Sequence, residues 1–160
     1  MTPLQKIYDA FLAQVQDDEW GSWEEWERQE DWYQLLLAAI VWFKFPRIPL
    51  TITEEEIDAI EVDEEIIITY NRFFNNELTN AEIQVIVAFM RAAWLERIVL
   101  SWENLRPLYS ERDFSPANML REFSTKTDAQ FKLARRLEAT YYRTIDGQPF
   151  KFRNLSGGPH

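Results

Sequence analysis

Residues 77–106 constrain the fold most, because no Gly or Pro interrupts them before Pro107. Thr79 with Glu82 three residues on makes a capping box at their start. Leu78 and Ile83 stand where a hydrophobic staple needs them. At about 100° per residue, Ile83, Ile86, Val87, Met90, Trp94 and Ile98 fall on one apolar stripe. Val85, Ala88, Phe89, Ala92, Leu95 and Val99 fall on a second, roughly opposite. Gln84 and Arg91 occupy one gap between them, Glu96 and Arg97 the other. A surface helix needs one apolar stripe; two require burial on both sides. The second neighbour is either another helix of the same chain or another subunit.

A chain of 160 residues, 46% of them apolar and 15% aromatic, can bury a core as one domain. It has no Cys, which removes disulfides, thiolate zinc sites and thiol nucleophiles. Its one His is the last residue, His160, so Ser-His-Asp and His-based zinc arrangements are absent too. Four glycines make no phosphate loop. The acidic cluster between Asp58 and Glu65 lacks the spacing of a calcium loop and reads as a solvated acidic segment. No catalytic residue, metal site or cofactor is expected, and no enzyme. No signal peptide is visible and the apolar run at residues 35–43 is too short to cross a bilayer, so a soluble protein made inside the cell is expected, with no membrane partner.

The net charge of −10 is unevenly spread. Residues 1–80 hold 18 acidic and 5 basic side chains, net −13; residues 81–160 hold 9 and 12, net +3. Such polarity suits head-to-tail association, and equally two ordinary surfaces that differ. It argues against simple nucleic-acid binding, which needs a basic footprint.

Thr2 before Pro3 reads as a cap, with Leu4, Ile7, Tyr8, Phe11, Leu12 and Val15 at helical spacing, so a helix over residues 3–16 is expected. Ser22 with Glu25 suggests a second capping box and a helix reaching about Phe45, before Pro46. Trp20, Trp23 and Trp26 either cover a core edge or anchor a partner. Residues 46–76 break the helical pattern. Leu50, Ile52 and the run Ile66, Ile67, Ile68, Tyr70 are β-prone, while Thr53 with Glu56 offers a competing helix cap. An extended excursion with some strand is favoured, and a long hairpin arm is the alternative. Ser115 and Pro116 restart a helix that runs to Arg143, with Leu120, Phe123, Phe131, Ala134, Leu137 and Tyr141 on its buried side. Ser124, Thr125 and Thr127 weaken its middle. Asp146 and Gly147 signal a turn closing a small hairpin, and the tail from Asn154 to His160 is expected to be held by another chain.

Four short patterns carry a resemblance: Leu78, Thr79 and Glu82; Met90, Trp94 and Leu95; Ser110, Asp113 and Phe114; Ala117, Asn118 and Leu120. Together with the apolar helix ending before Pro46, they resemble a family of tailed-bacteriophage neck proteins over about residues 30–140. The Trp-rich start, the excursion and residues 144–160 depart from that pattern. The resemblance implies a head-to-tail connector, or head-completion protein. It implies a ring, commonly a dodecamer, that meets the portal protein and the tail or lower-neck proteins in the virion and lets DNA pass without specific binding.

The expected fold is therefore mainly α: a helical bundle of about four helices around a central buried helix, with a small β-prone arm and a C-terminal extension. Residues 1–143 would form the connector domain, with the arm at about 46–76, and residues 144–160 the extension. Trp20, Trp23, Trp26, Ile66, Ile68, Tyr70, Phe150 and Phe152 are interface candidates. Trp94, Leu95, Asp113, Phe114, Ala117 and Asn118 match the family pattern, with Asp113 and Asn118 expected to hold the turn before the last helix and Trp94 to pack under it. A small acidic adaptor or inhibitor of DNA-mimic type, binding a host protein, is the alternative from composition.

Overall fold

The computed structural model describes residues 1–105, 116–145 and 148–149. Helix α3, Asn80–Leu105, runs through the middle of the body. Its capping box forms as the sequence implies: the Thr79 N–H donates to Glu82 Oε2 at 2.6 Å, and Glu82 N–H reaches Thr79 Oγ1 at 3.5 Å. Leu78 and Ile83 are both buried. From Glu82 to Leu95 both apolar stripes are covered, leaving Gln84 exposed and Arg91 and Trp94 half-buried. The neighbours are α1 (Leu4–Leu12), α2 (Glu25–Trp42) and α4 (Pro116–Arg143), all of the same chain. Over these turns no second subunit is needed to explain the two stripes.

The expectation of a helical bundle fails on the sheet. Strands β1 (Thr2–Pro3), β2 (Ile52–Val62) and β3 (Glu65–Phe74) form an antiparallel sheet in the order β1-β3-β2, and the fold is mixed α/β with helix predominating. Thr2 is not the helix cap expected of it. It pairs with Phe74, donates its hydroxyl to the Asn76 carbonyl and accepts the Leu78 N–H at 2.8 Å. The hydroxyl thus satisfies a backbone group 76 residues away, a contact no local pattern encodes. The Thr53 and Glu56 cap is not realised either; both residues lie in β2.

The second helix starts later and ends sooner than expected. Asp18–Ser22 is a 3-10 turn capped by the Asp17 carboxylate on the Glu19 N–H, and Ser22 donates back to Glu19 O. The reciprocal cap falls on Glu24, whose N–H donates to Glu27 Oε2 at 2.8 Å, two residues past the expected start at Ser22.

Helix α4 runs unbroken through residues 124–128, where Thr125 and Thr127 donate their hydroxyls to the Arg121 and Phe123 carbonyls four residues back. Its buried carboxylates and amides tie it to the body. Gln130 Nε2 donates to Ala88 O at 3.1 Å. Glu138, 3% exposed, accepts the Lys44 and Phe45 N–H groups and pairs with Arg135. Tyr141 donates to Glu82 Oε1 and accepts the Arg47 N–H. Past α4, the short hairpin expected at the turn forms from β4 (Thr144–Ile145) and β5 (Gln148–Pro149).

Candidate interface

Beyond its root, the β2–β3 hairpin is an arm that leaves the body. Eleven residues of β2 reach about 36 Å at strand rise. The reversal uses Asp63 and Glu64, with φ of 51° and 69°. Two consecutive left-handed residues are what a two-residue hairpin turn requires, although neither is the Asn or Gly that adopts this backbone easily. Ile57 is an extra residue on β2 between the Glu56–Tyr70 and Asp58–Thr69 pairs, a bulge that re-aims the outer arm.

One face of the arm, by strand alternation, carries Ile66, Ile68, Tyr70 and Arg72 of β3, opposite Glu61, Ala59, Glu56 and Glu54 of β2. The root of this face grips α2. Arg72 Nη1 lies 2.8 Å from Glu30 Oε2, its Nε 3.4 Å from Glu54 Oε1, and its guanidinium stacks 3.8 Å over the Tyr33 ring. Tyr33 donates its hydroxyl to Glu54 Oε1 at 2.6 Å. Burial, followed by that hydrogen bond to an anion, pushes the Tyr33 phenol up to about 12. Trp26, Glu30, Ile68, Tyr70 and Arg72 are among the residues lining a shallow cleft between α2 and the arm.

Outward of the cleft the arm has no cover among the described residues. Ile66 is 73% exposed and Ile57 66%. Ile60 is exposed as well, and Ile68 and Tyr70, on the cleft wall, are partly open to solvent. Around them stand Glu55, Glu56, Asp58, Glu61, Asp63, Glu64 and Glu65, all exposed. Among the described residues no group of three or more His, Asp or Glu is placed to hold a metal ion, and no helix is long and apolar enough to cross a membrane.

No protein family, curated protein or solved structure matches the chain. Its surfaces must be read from their own chemistry.

The interface candidates divide three ways. Ile66, Ile68 and Tyr70 lie together on one face of the arm, Ile66 in solvent and Ile68 and Tyr70 on the wall of the cleft. The tryptophans do not act as a set. Trp20, 5% exposed, is a core residue: its ring meets Phe11 and Trp32, and its Nε1 donates to Asp31 Oδ2 at 2.8 Å. Trp23 is half-buried against the core, and Trp26 alone of the three faces the arm cleft. Phe150 and Phe152 lie outside the described residues, as does the tail.

Of the family-pattern residues, Leu95 is buried and Trp94 donates its Nε1 to Asp17 Oδ2 at 2.9 Å, so Trp94 fastens the connection after α1. The turn expected above it, with Asp113 and Phe114, lies outside the described residues. Ala117 and Asn118 fall in the first turn of α4, Asn118 exposed. Sequence reading missed Glu138 and Asp31 as fixing residues. The sole hint for Glu138 was its place between Ala134 and Tyr141 on the buried face of α4.

Proposed function

We propose that the chain is a structural subunit that assembles through its arm, forming a ring in the neck of a tailed-phage virion between head and tail. The observation that carries this reading is the arm: a long hairpin, fixed at its root by Arg72 and open beyond it, with Ile57 and Ile66 in solvent and Ile60, Ile68 and Tyr70 partly so. A monomer gains nothing from isoleucines held away from its own core, whereas an assembly covers them. The sequence patterns that resemble neck proteins supply the site of that assembly, and the neighbours then are copies of the chain, the portal protein and tail proteins. Carboxylates facing a lumen would let DNA pass by like-charge repulsion.

The test is mass spectrometry of purified, DNA-filled particles with the copy number per particle. A fixed count equal to a closed ring is the expected result. Absence from particles, with the chain abundant in infected cells, overturns the reading. The acidic arm would then favour an adaptor that occupies a host protein's basic groove, seen as salt-sensitive binding.

A further inference from the structure

We infer that the arm of one copy docks on the far end of the next, against a basic, apolar surface formed by the end of α2 and the end of α4. This rests on the ring reading and names its junction. The first observation is charge. Between Ile52 and Phe74 the arm carries eight carboxylates against Arg72, a net of −7. At the other end Lys44, Arg47, Lys132, Arg135, Arg136 and Arg143 stand against the buried Glu82 and Glu138, a net of +4.

The second observation is that this basic end also exposes apolar rings. Phe45 is 58% exposed and Tyr142 62%, their rings 5.7 Å apart, and Val41 nearby is 77% exposed. Phe45 is held in place rather than loose: its N–H donates to the buried Glu138, and Arg47 donates to the carbonyls of Tyr141, Tyr142 and Thr144. Lys132, Arg136 and Arg143 share one exposed stripe of α4, opposite the side that carries Ala134 and Tyr141 into the core.

The third observation is direction. Arg72 sits beside Glu30, and Ile67 and Ile68 sit beside Trp26, so the arm travels toward the N-terminus of α2 and its tip lies beyond. The basic surface begins at the C-terminus of the same helix, about 27 Å away along 18 residues. The two complementary surfaces therefore stand at opposite ends and cannot meet within one copy. Complementary patches at opposite ends make a heterologous, head-to-tail contact, which closes as a ring when the rotation allows. The exposed isoleucines and the Phe45 and Tyr142 rings supply the apolar centre of the junction, and the charges its rim.

The experiment is sedimentation velocity of the full chain with two triple variants, one in the arm (Glu61→Lys, Glu64→Lys, Glu65→Lys) and one on α4 (Lys132→Glu, Arg136→Glu, Arg143→Glu). All six positions are exposed. The native chain is expected to associate with rising concentration, less so at high salt. Each variant alone is expected to associate at least tenfold more weakly, and an equimolar mixture of the two to regain association. Recovery in the mixture also establishes that both variants fold. Native-like association of the α4 variant alone overturns the inference, because pairing arm to arm would be indifferent to α4. A native chain that stays monomeric, with no association in the mixture, overturns it as well. Either outcome leaves the particle count untouched. Conversely, a chain absent from particles with the mixture effect intact fails the neck reading and keeps the junction.

Discussion

In the body of this protein Ile7, Leu36, Ile86 and Val87 are fully buried, while in the arm Ile57, Ile60, Ile66 and Ile68 stand in solvent. The side chains are of one kind; what differs is what surrounds them. In the body each apolar residue meets helices from two sides, and full burial of such a side chain is worth about 1.5–3 kcal/mol. In the arm two strands have only each other, and a hairpin alone is marginal in water. The arm persists because its root is tied to α2 by Arg72, Glu30, Glu54 and Tyr33 and to β1 through Phe74. The contrast teaches that stability and association are assigned to different regions. The body folds for itself, and the arm keeps its apolar surface available for a neighbour.

The largest expected effect is in the body. Glu138→Ala strips two backbone N–H groups and Arg135 of a buried acceptor, and should destabilise the chain by about 3 kcal/mol in urea unfolding. A loss under about 1 kcal/mol would place α4 outside the cooperative body.

The next test addresses the joint. The Tyr33 phenol is raised from 10.0 to about 12 in the fold, so the unfolded chain loses this proton first as pH rises. The stability it contributes is complete below about pH 10 and is lost as pH climbs through 12. Burial raises Tyr8 and Tyr141 in the same direction, so the native chain loses stability from several rings together. Tyr33→Phe should remove about 2 kcal/mol of that fall, read as a shallower drop of the urea midpoint between pH 10 and 12. Identical slopes for the two proteins would mean that Tyr33 is neither buried nor bound to Glu54 in solution.

Arg72→Ala removes the ion pairs and the stacking at the root. These groups are partly solvated, so the expected loss is only about 1 kcal/mol in global unfolding. Cleavage of the arm by a Glu-specific protease should accelerate much more, because the loss falls on one local unit. Equal acceleration in arm and body would erase the distinction between them. The smallest effect is at the tip. Asp63→Asn with Glu64→Gly suits the left-handed turn and should slow amide exchange along the arm, a gain of about 0.5 kcal/mol.

The same division governs how far the sequence could be read. The α3 cap was legible because Thr79 and Glu82 are three residues apart and satisfy each other locally. The two apolar stripes of α3 were legible because its periodicity survives whatever packs against it. The arm was half legible: the isoleucine run marked a strand, but the turn carries Asp63 and Glu64 in place of Asn and Gly, and Thr53 with Glu56 imitates a helix cap. Thr2 and Glu138 were illegible as structural anchors, since the backbone groups they hold lie 72 or more residues away. Trp20 misled for a different reason: its indole is answered by Asp31 and its ring by Phe11 and Trp32, all close in sequence but on separate elements. An aromatic cluster in an acidic segment looks alike whether it faces a core or a partner.

Amide hydrogen exchange followed over a concentration series tests the division between body and arm most directly. On dilution to the monomer, amides of residues 57–67 should exchange within seconds to minutes while those of residues 83–95 stay protected, and raising the concentration should protect the arm alone. Equal protection of the two regions at every concentration would contradict the account, because the arm would then be part of the body and not a surface kept for a neighbour.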